Sequence, residues 1–150
     1  MNQPQFLITR VAARAPARLL LSFADGFSGE ADLSGVVARH PTLARLNEPG
    51  VFAQVAVDEW SRGVVFAADD ELALASDNLR ALILEQAGEF SHQQIIAWMA
   101  RHRLSLSTAA EALGLSRRML AYYRSGEKAI PKTVGLALLG WEVQQSRTAA

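Results

Sequence analysis

The sequence predicts an α+β protein in two parts. Residues 1–88 read as a small antiparallel β-sheet domain with one or two helices, and residues 89–150 as an all-α domain. Three observations predict this. The apolar residues alternate at period two in the first half and repeat at helical spacing from Ser76 onward. Turn residues divide the second half into four short helical stretches. The formal charge of zero over 150 residues is also a cancellation. Residues 1–88 hold 7 basic against 11 acidic residues, a net of −4, and residues 89–150 hold 8 against 4, a net of +4.

In the first half, Ala17, Leu19, Leu21 and Phe23 fall on one face of a strand, with Arg18 and Ser22 on the other. Asp25-Gly26 follows, a pair suited to the positive φ angles of a hairpin, and Phe27 to Leu33 reads as the returning strand. A short helical segment is expected at Pro41 to Leu46, then a turn at Asn47-Glu48-Pro49-Gly50. Val51, Phe52, Val55 and Val57 suggest another strand, paired across a loop at Asp58 to Gly63 with Val64 to Ala67. This gives four or five strands in all. Leu79, Leu82, Ile83 and Gln86 then lie on one helix face with Ser76 as its N-cap.

The second half opens with Ser91-His-Gln-Gln, a capping-box pattern, followed by Ile95, Trp98, Met99 and His102 at helical spacing. A second, small-sided helix is expected from about Ser107, ending at Gly114, where a left-handed residue turns the chain. Ser116 caps a third helix over Arg117 to Arg124. Gly126 closes it, and Pro131 opens a fourth that runs to about Gln145. Ala110 has to be small for the third helix to cross it, while Leu113, Leu115 and Leu120 supply the shared core. From Arg101 to Lys132 there are 7 basic residues against Glu111 and Glu127.

The stretch LSLSTAAEALGLSRRMLAYYRSGEKAIP, Leu104 to Pro131, resembles the phage-repressor (Cro/C1, xenobiotic-response-element) helix-turn-helix family. The matching positions are Leu104-Ser105, Ala110, Gly114, Ser116, Leu120, Gly126 and Ile130-Pro131. The resemblance implies a lambda-repressor-like domain whose third helix enters the major groove of double-stranded DNA. It places base or phosphate contact on Ser116, Arg117, Arg118 and Tyr122. Leu106 stands where the family often has Gln, which leaves Ser107 or Thr108 as the second-helix contact. Arg124 and Lys128 extend the basic surface. Residue chemistry agrees, because Arg pairs bidentately with guanine O6 and N7, and a free helix N-terminus holds phosphate.

The segments LLLSFADGFSGEADL, LARLNEPGVFAQVAVD and GVVFA, with Leu72 to Asn78, resemble a small β-rich bacterial domain of unknown function, some members of which are fused to a repressor-type helix-turn-helix. That resemblance brings no catalytic residue and implies a regulatory or protein-binding role.

Other classes find little support. The absence of cysteine excludes a disulfide scaffold and thiolate metal sites. His40, His92 and His102 lack the spacing of a metal site, so no metal or cofactor is expected. Asp69-Asp70-Glu71 and Asp58-Glu59 read as solvated loops, without a nucleophile or base to make an enzyme. Trp60, in a charged loop beside Arg62, reads as a loop anchor, with a partner contact as the alternative. The N-terminus lacks the basic start and apolar stretch of a secretory signal, and the longest apolar run, Val134 to Trp141, is too short to span a membrane, so a cytoplasmic protein is expected. The reading is a sequence-specific, repressor-like transcriptional regulator acting as a homodimer, its interface on the spare apolar face of the fourth helix or on an open sheet edge. The alternative is an antitoxin-like interaction module whose first domain binds a partner protein.

Overall fold

The computed structural model describes residues 2–149. The chain divides into two compact units, residues 1–87 and 88–150.

The first unit contains two three-stranded antiparallel sheets, β1 (Ile8–Arg14), β2 (Arg18–Phe23) and β3 (Ser28–Asp32), then β4 (Val55–Val57), β5 (Gly63–Phe66) and β6 (Asp69–Ala75). The single sheet of four or five strands expected from the sequence is therefore two sheets with six strands. Three α-helices accompany them, α1 (Ser34–Arg39), α2 (Pro49–Phe52) and α3 (Ser76–Gln86); the short helical segment expected at Pro41 to Leu46 is a 3-10 helix, Pro41–Asn47, and α1 and α2 stand where the sequence predicts no helix. The β2–β3 hairpin turns where Asp25-Gly26 stands, with Gly26 at φ 94° and Asp25 Oδ1 accepting the Phe27 N–H. Leu19, Leu21 and Phe23 are buried, as their alternation requires. They meet Val64, Phe66 and Leu72 of the second sheet and Leu79 and Ile83 of α3 in one core. Each fully buried side chain of this kind contributes about 1.5–3 kcal/mol.

Val51 and Phe52 lie in α2 and not in a strand. Pro49 occupies the first turn of that helix, where its missing N–H costs nothing, and the Ala53 N–H closes the turn on Pro49 O at 3.0 Å. Asp69 to Glu71 open β6 and do not form a loop; Asp69 pairs with Arg45 at 3.0 Å. Ser76 is the first residue of α3, without a side-chain cap, and is buried.

In the second unit, α4 (His92–Arg101), α5 (Leu106–Leu113), α6 (Arg117–Ser125) and α7 (Lys132–Ala149) follow one another across short turns. The capping box at Ser91 and Gln94 is formed. Ile95, Trp98, Ala109, Ala110, Leu120, Tyr123 and Leu138 make the core, and Trp98 meets Trp141 edge to face at 5.4 Å between centroids. Among the described residues no helix is long and apolar enough to cross a membrane.

Candidate nucleic-acid interface

The helical unit presents α6 on a frame that the sequence sets residue by residue. α5 begins at Leu106, one residue before Ser107, because Ser105 is its cap. Ser105 Oγ accepts the Thr108 N–H at 3.1 Å, and Thr108 Oγ1 accepts the Ser105 N–H at 2.9 Å. Gly114 ends α5 in the left-handed conformation, φ 70° and ψ 31°, and the Leu115 N–H returns to Ala110 O at 2.8 Å. Ser116 then caps α6, its hydroxyl accepting the Met119 N–H at 3.1 Å. α6 packs on both α4 and α5 through Leu120 and Tyr123, over Ala109 and Ala110, all four buried. Two helices joined by a three-residue turn, with small side chains where they approach, hold the start of α6 firmly.

At that start, Ser116, Arg117 and Arg118 are all exposed, and no acidic residue lies in the first turn. Two cations at the positive end of a helix dipole are locally unfavourable. One of them, Arg118, is steadied by Tyr122, one turn on. Arg118 Nε donates to Tyr122 Oη at 3.1 Å, and the guanidinium carbon lies 5.7 Å from the ring centroid. Lys128, from the loop after α6, places Nζ 4.5 Å from the same centroid. The Tyr122 hydroxyl bond raises the Arg118 pKa above its already high ordinary value.

Of the residues singled out by sequence, Arg118, Tyr122 and Lys128 form one contiguous group, with Arg117 and Ser116 adjoining it in the chain. Arg124 is exposed in the last turn of α6, and Ser107 is exposed on the first turn of α5. Thr108 is also exposed, but its hydroxyl is engaged with Ser105 in the capping box. Sequence reasoning overcounted one cation. Arg101 Nη2 pairs with Glu142 at 2.8 Å, and the same carboxylate oxygen meets His102 Nε2 at 2.9 Å. Those two hydrogen bonds, from His102 and then Arg101, hold the Glu142 carboxyl below its usual range. The Arg118–Tyr122 link was available in the sequence as an i,i+4 pair and was missed as a unit.

Among the described residues, no group of three or more His, Asp or Glu side chains could hold a metal ion. Trp60, expected to anchor its loop, is 73% exposed.

No family model and no curated protein matches the chain. A crystal structure does. It is that of a putative DNA binding protein from Nitrosomonas europaea, 44% identical, with 90% of this chain and 85% of that one covered and a TM-score of 0.81. The chain belongs to the same family as that protein. The match spans far more than the helical unit alone, so the β unit and the helical unit are shared together.

Proposed function

We propose that the protein binds double-stranded DNA through α6 and acts as a sequence-specific, repressor-like transcriptional regulator of the cytoplasm. The observation that carries this is the pair of exposed arginines, Arg117 and Arg118, at the capped start of α6, with half-buried Tyr122 holding Arg118 and the exposed Lys128 of the following loop beside the tyrosine ring. In this reading α5 and α6 are a helix-turn-helix and residues 89–150 a lambda-repressor-like domain. The family relationship to a putative DNA binding protein supports it. Arg118 reads a guanine edge, Arg117, Ser116 and Lys128 hold phosphates, and Ser107 and Arg124 extend the contact.

A single reading head covers only a half-site, so a homodimer is proposed, with its two α6 helices about 34–36 Å apart on the duplex. Leu136, Leu139 and Val143 support this, since they lie on one exposed stripe of α7 at spacings of three and four residues. Sedimentation at tens of micromolar should give the dimer mass; a monomer there removes this part of the reading.

Binding is tested by titrating duplex DNA against the protein over a range of salt. Arg118→Ala should weaken a selected site by about 1–3 kcal/mol, and affinity should fall steeply as salt rises. Equal affinity for the variant, or a flat salt response, overturns the assignment.

One observation favours a second reading, in which the first unit binds a partner protein in an antitoxin-like manner. Trp60 stands in solvent on a turn fixed by Asp58, whose Oδ1 accepts the N–H groups of Trp60 and Arg62. Exposed, pre-ordered tryptophans are frequent anchors of protein interfaces. A stoichiometric partner that co-purifies and is lost in Trp60→Ala, with no duplex retained, decides for this reading.

A further inference from the structure

We propose that Tyr122 is a positioning residue that fixes the specificity of Arg118, selecting guanine at one position of each half-site. The proposal rests on the DNA-binding reading above and deepens it. An arginine on a helix surface samples many rotamers, and ordering it on binding costs affinity. Here the side chain is already held. Its Nε–H is donated to Tyr122 Oη at 3.1 Å, which fixes the plane of the guanidinium against α6. That bond occupies Nε and leaves both Nη groups, the end-on fork that matches the paired acceptors O6 and N7 of guanine. A hydroxyl that accepts from Arg118 still has its own proton to donate to a phosphate or base oxygen.

Tyr122 is itself held from several sides. Lys128 Nζ lies over its ring at 4.5 Å, the Lys128 N–H bonds Tyr122 O at 3.3 Å, and Ser125 Oγ donates to the same carbonyl at 3.1 Å. Tyr123, the next residue, is buried in the core. The tyrosine thus joins a fixed backbone to a reading arginine. Lys128, a compact point charge beside the same ring, supplies attraction without base discrimination.

The test uses the full chain and duplexes enriched by the wild-type protein from a random pool. Discrimination is the ratio of affinities for an enriched duplex and for copies changed one guanine at a time. Arg118→Ala should lose about 5- to 150-fold discrimination at one guanine per half-site. Tyr122→Phe, which keeps the ring and helix, should lose about 2- to 12-fold at that same guanine, the share of one hydrogen bond. Its affinity for mixed-sequence duplex and its salt dependence should match wild type. Without DNA, the Arg118 Nε–H resonance should exchange slowly in wild type and rapidly in Tyr122→Phe. Full discrimination retained in Tyr122→Phe, or equal Nε–H exchange in both proteins, overturns the proposal and leaves DNA binding standing. Failure of the wild type to enrich any duplex overturns both.

Discussion

Gly114 offers a direct test of how the turn before α6 is specified. Its φ of 70° and ψ of 31° lie in the left-handed region, and a Cβ built there would meet no atom within 4 Å. Replacing it by Ala therefore adds no clash and isolates the conformational cost. That cost is about 1–2 kcal/mol for an L-residue in this region. Ala also restricts the unfolded chain relative to Gly, which returns roughly 0.4–1 kcal/mol. The net loss for Gly114→Ala is about 1 kcal/mol, a fall in Tm of about 4–8 °C for a unit of this size. Gly114→Asn should cost less, because Asn tolerates the left-handed region better. The assay is urea unfolding followed by tryptophan fluorescence. Trp98 is fully buried against Trp141 in the helical unit, whereas Trp60 is 73% exposed and changes little on unfolding, so the signal reports α4 to α7. A loss above about 3 kcal/mol, or Asn costing more than Ala, would show that packing and not φ fixes this turn.

The β5–β6 turn poses the mirror case. Ala67 and Ala68 sit at φ 52° and 53°, so Ala68→Gly should stabilise the first unit by roughly 0.5–1 kcal/mol in thermal melts, and a loss of stability contradicts this. Gly63 is buried in β5, and a Cβ there would lie 2.5 Å from the carbonyl oxygen of Leu74. That obstacle is backbone and cannot swing aside, so Gly63→Ala should cost about 1–3 kcal/mol and raise amide exchange in β5 and β6; unchanged exchange argues against it. Glu142 ionises more readily than a free carboxyl because of His102 and Arg101, so its contribution is present above about pH 4.5 and is lost as pH falls through its lower folded value. Glu142→Gln should therefore be less stable than wild type at neutral pH, with the gap closing in acid; a gap that widens in acid refutes the pairing.

What the sequence shows most clearly is what repeats or caps. The β2 alternation, the Asp25-Gly26 turn and the Ser91 and Ser116 caps are local patterns with one structural solution each. β1 carries no clean alternation because its pairing with β2 shifts between Ile8 and Arg10, which puts Thr9 and Arg10 together in solvent. The β5–β6 hairpin carries Ala-Ala where a reader looks for Asn-Gly, so the turn leaves no signal. Val51-Phe52 is a short apolar run that suits strand and helix alike, and Pro49 decides for the helix. At the candidate site, residue types were legible but their engagement was not. The identity of Thr108 does not reveal that its hydroxyl completes a capping box, and nothing near Arg101 in sequence points to Glu142 forty-one positions on.

That last pairing changes how the charge should act. The formal charge of +4 on residues 89–150 gives eight cations, but Arg101 is tied to Glu142. Among the described residues, Arg103, Arg117, Arg118, Arg124, Lys128, Lys132 and Arg147 of this unit make no ion pair with a carboxylate. Each phosphate neutralised by such a cation contributes about −0.9 to the slope of log affinity against log salt. If this unit supplies all the phosphate contacts, the slope is no steeper than about −6 per protomer, and shallower once Arg118 is given to a base. Arg117→Ala should then make the slope shallower by about 0.9, whereas Arg101→Ala, which removes the same formal charge, should leave it unchanged. Two variants equal in net charge but unequal in slope would show contacts made by particular side chains, since the general field of a basic domain responds to charge alone. Equal slopes would refute that, and a wild-type slope well beyond −6 would require cations from the β unit, where Arg10 is exposed and makes no ion pair with a described carboxylate.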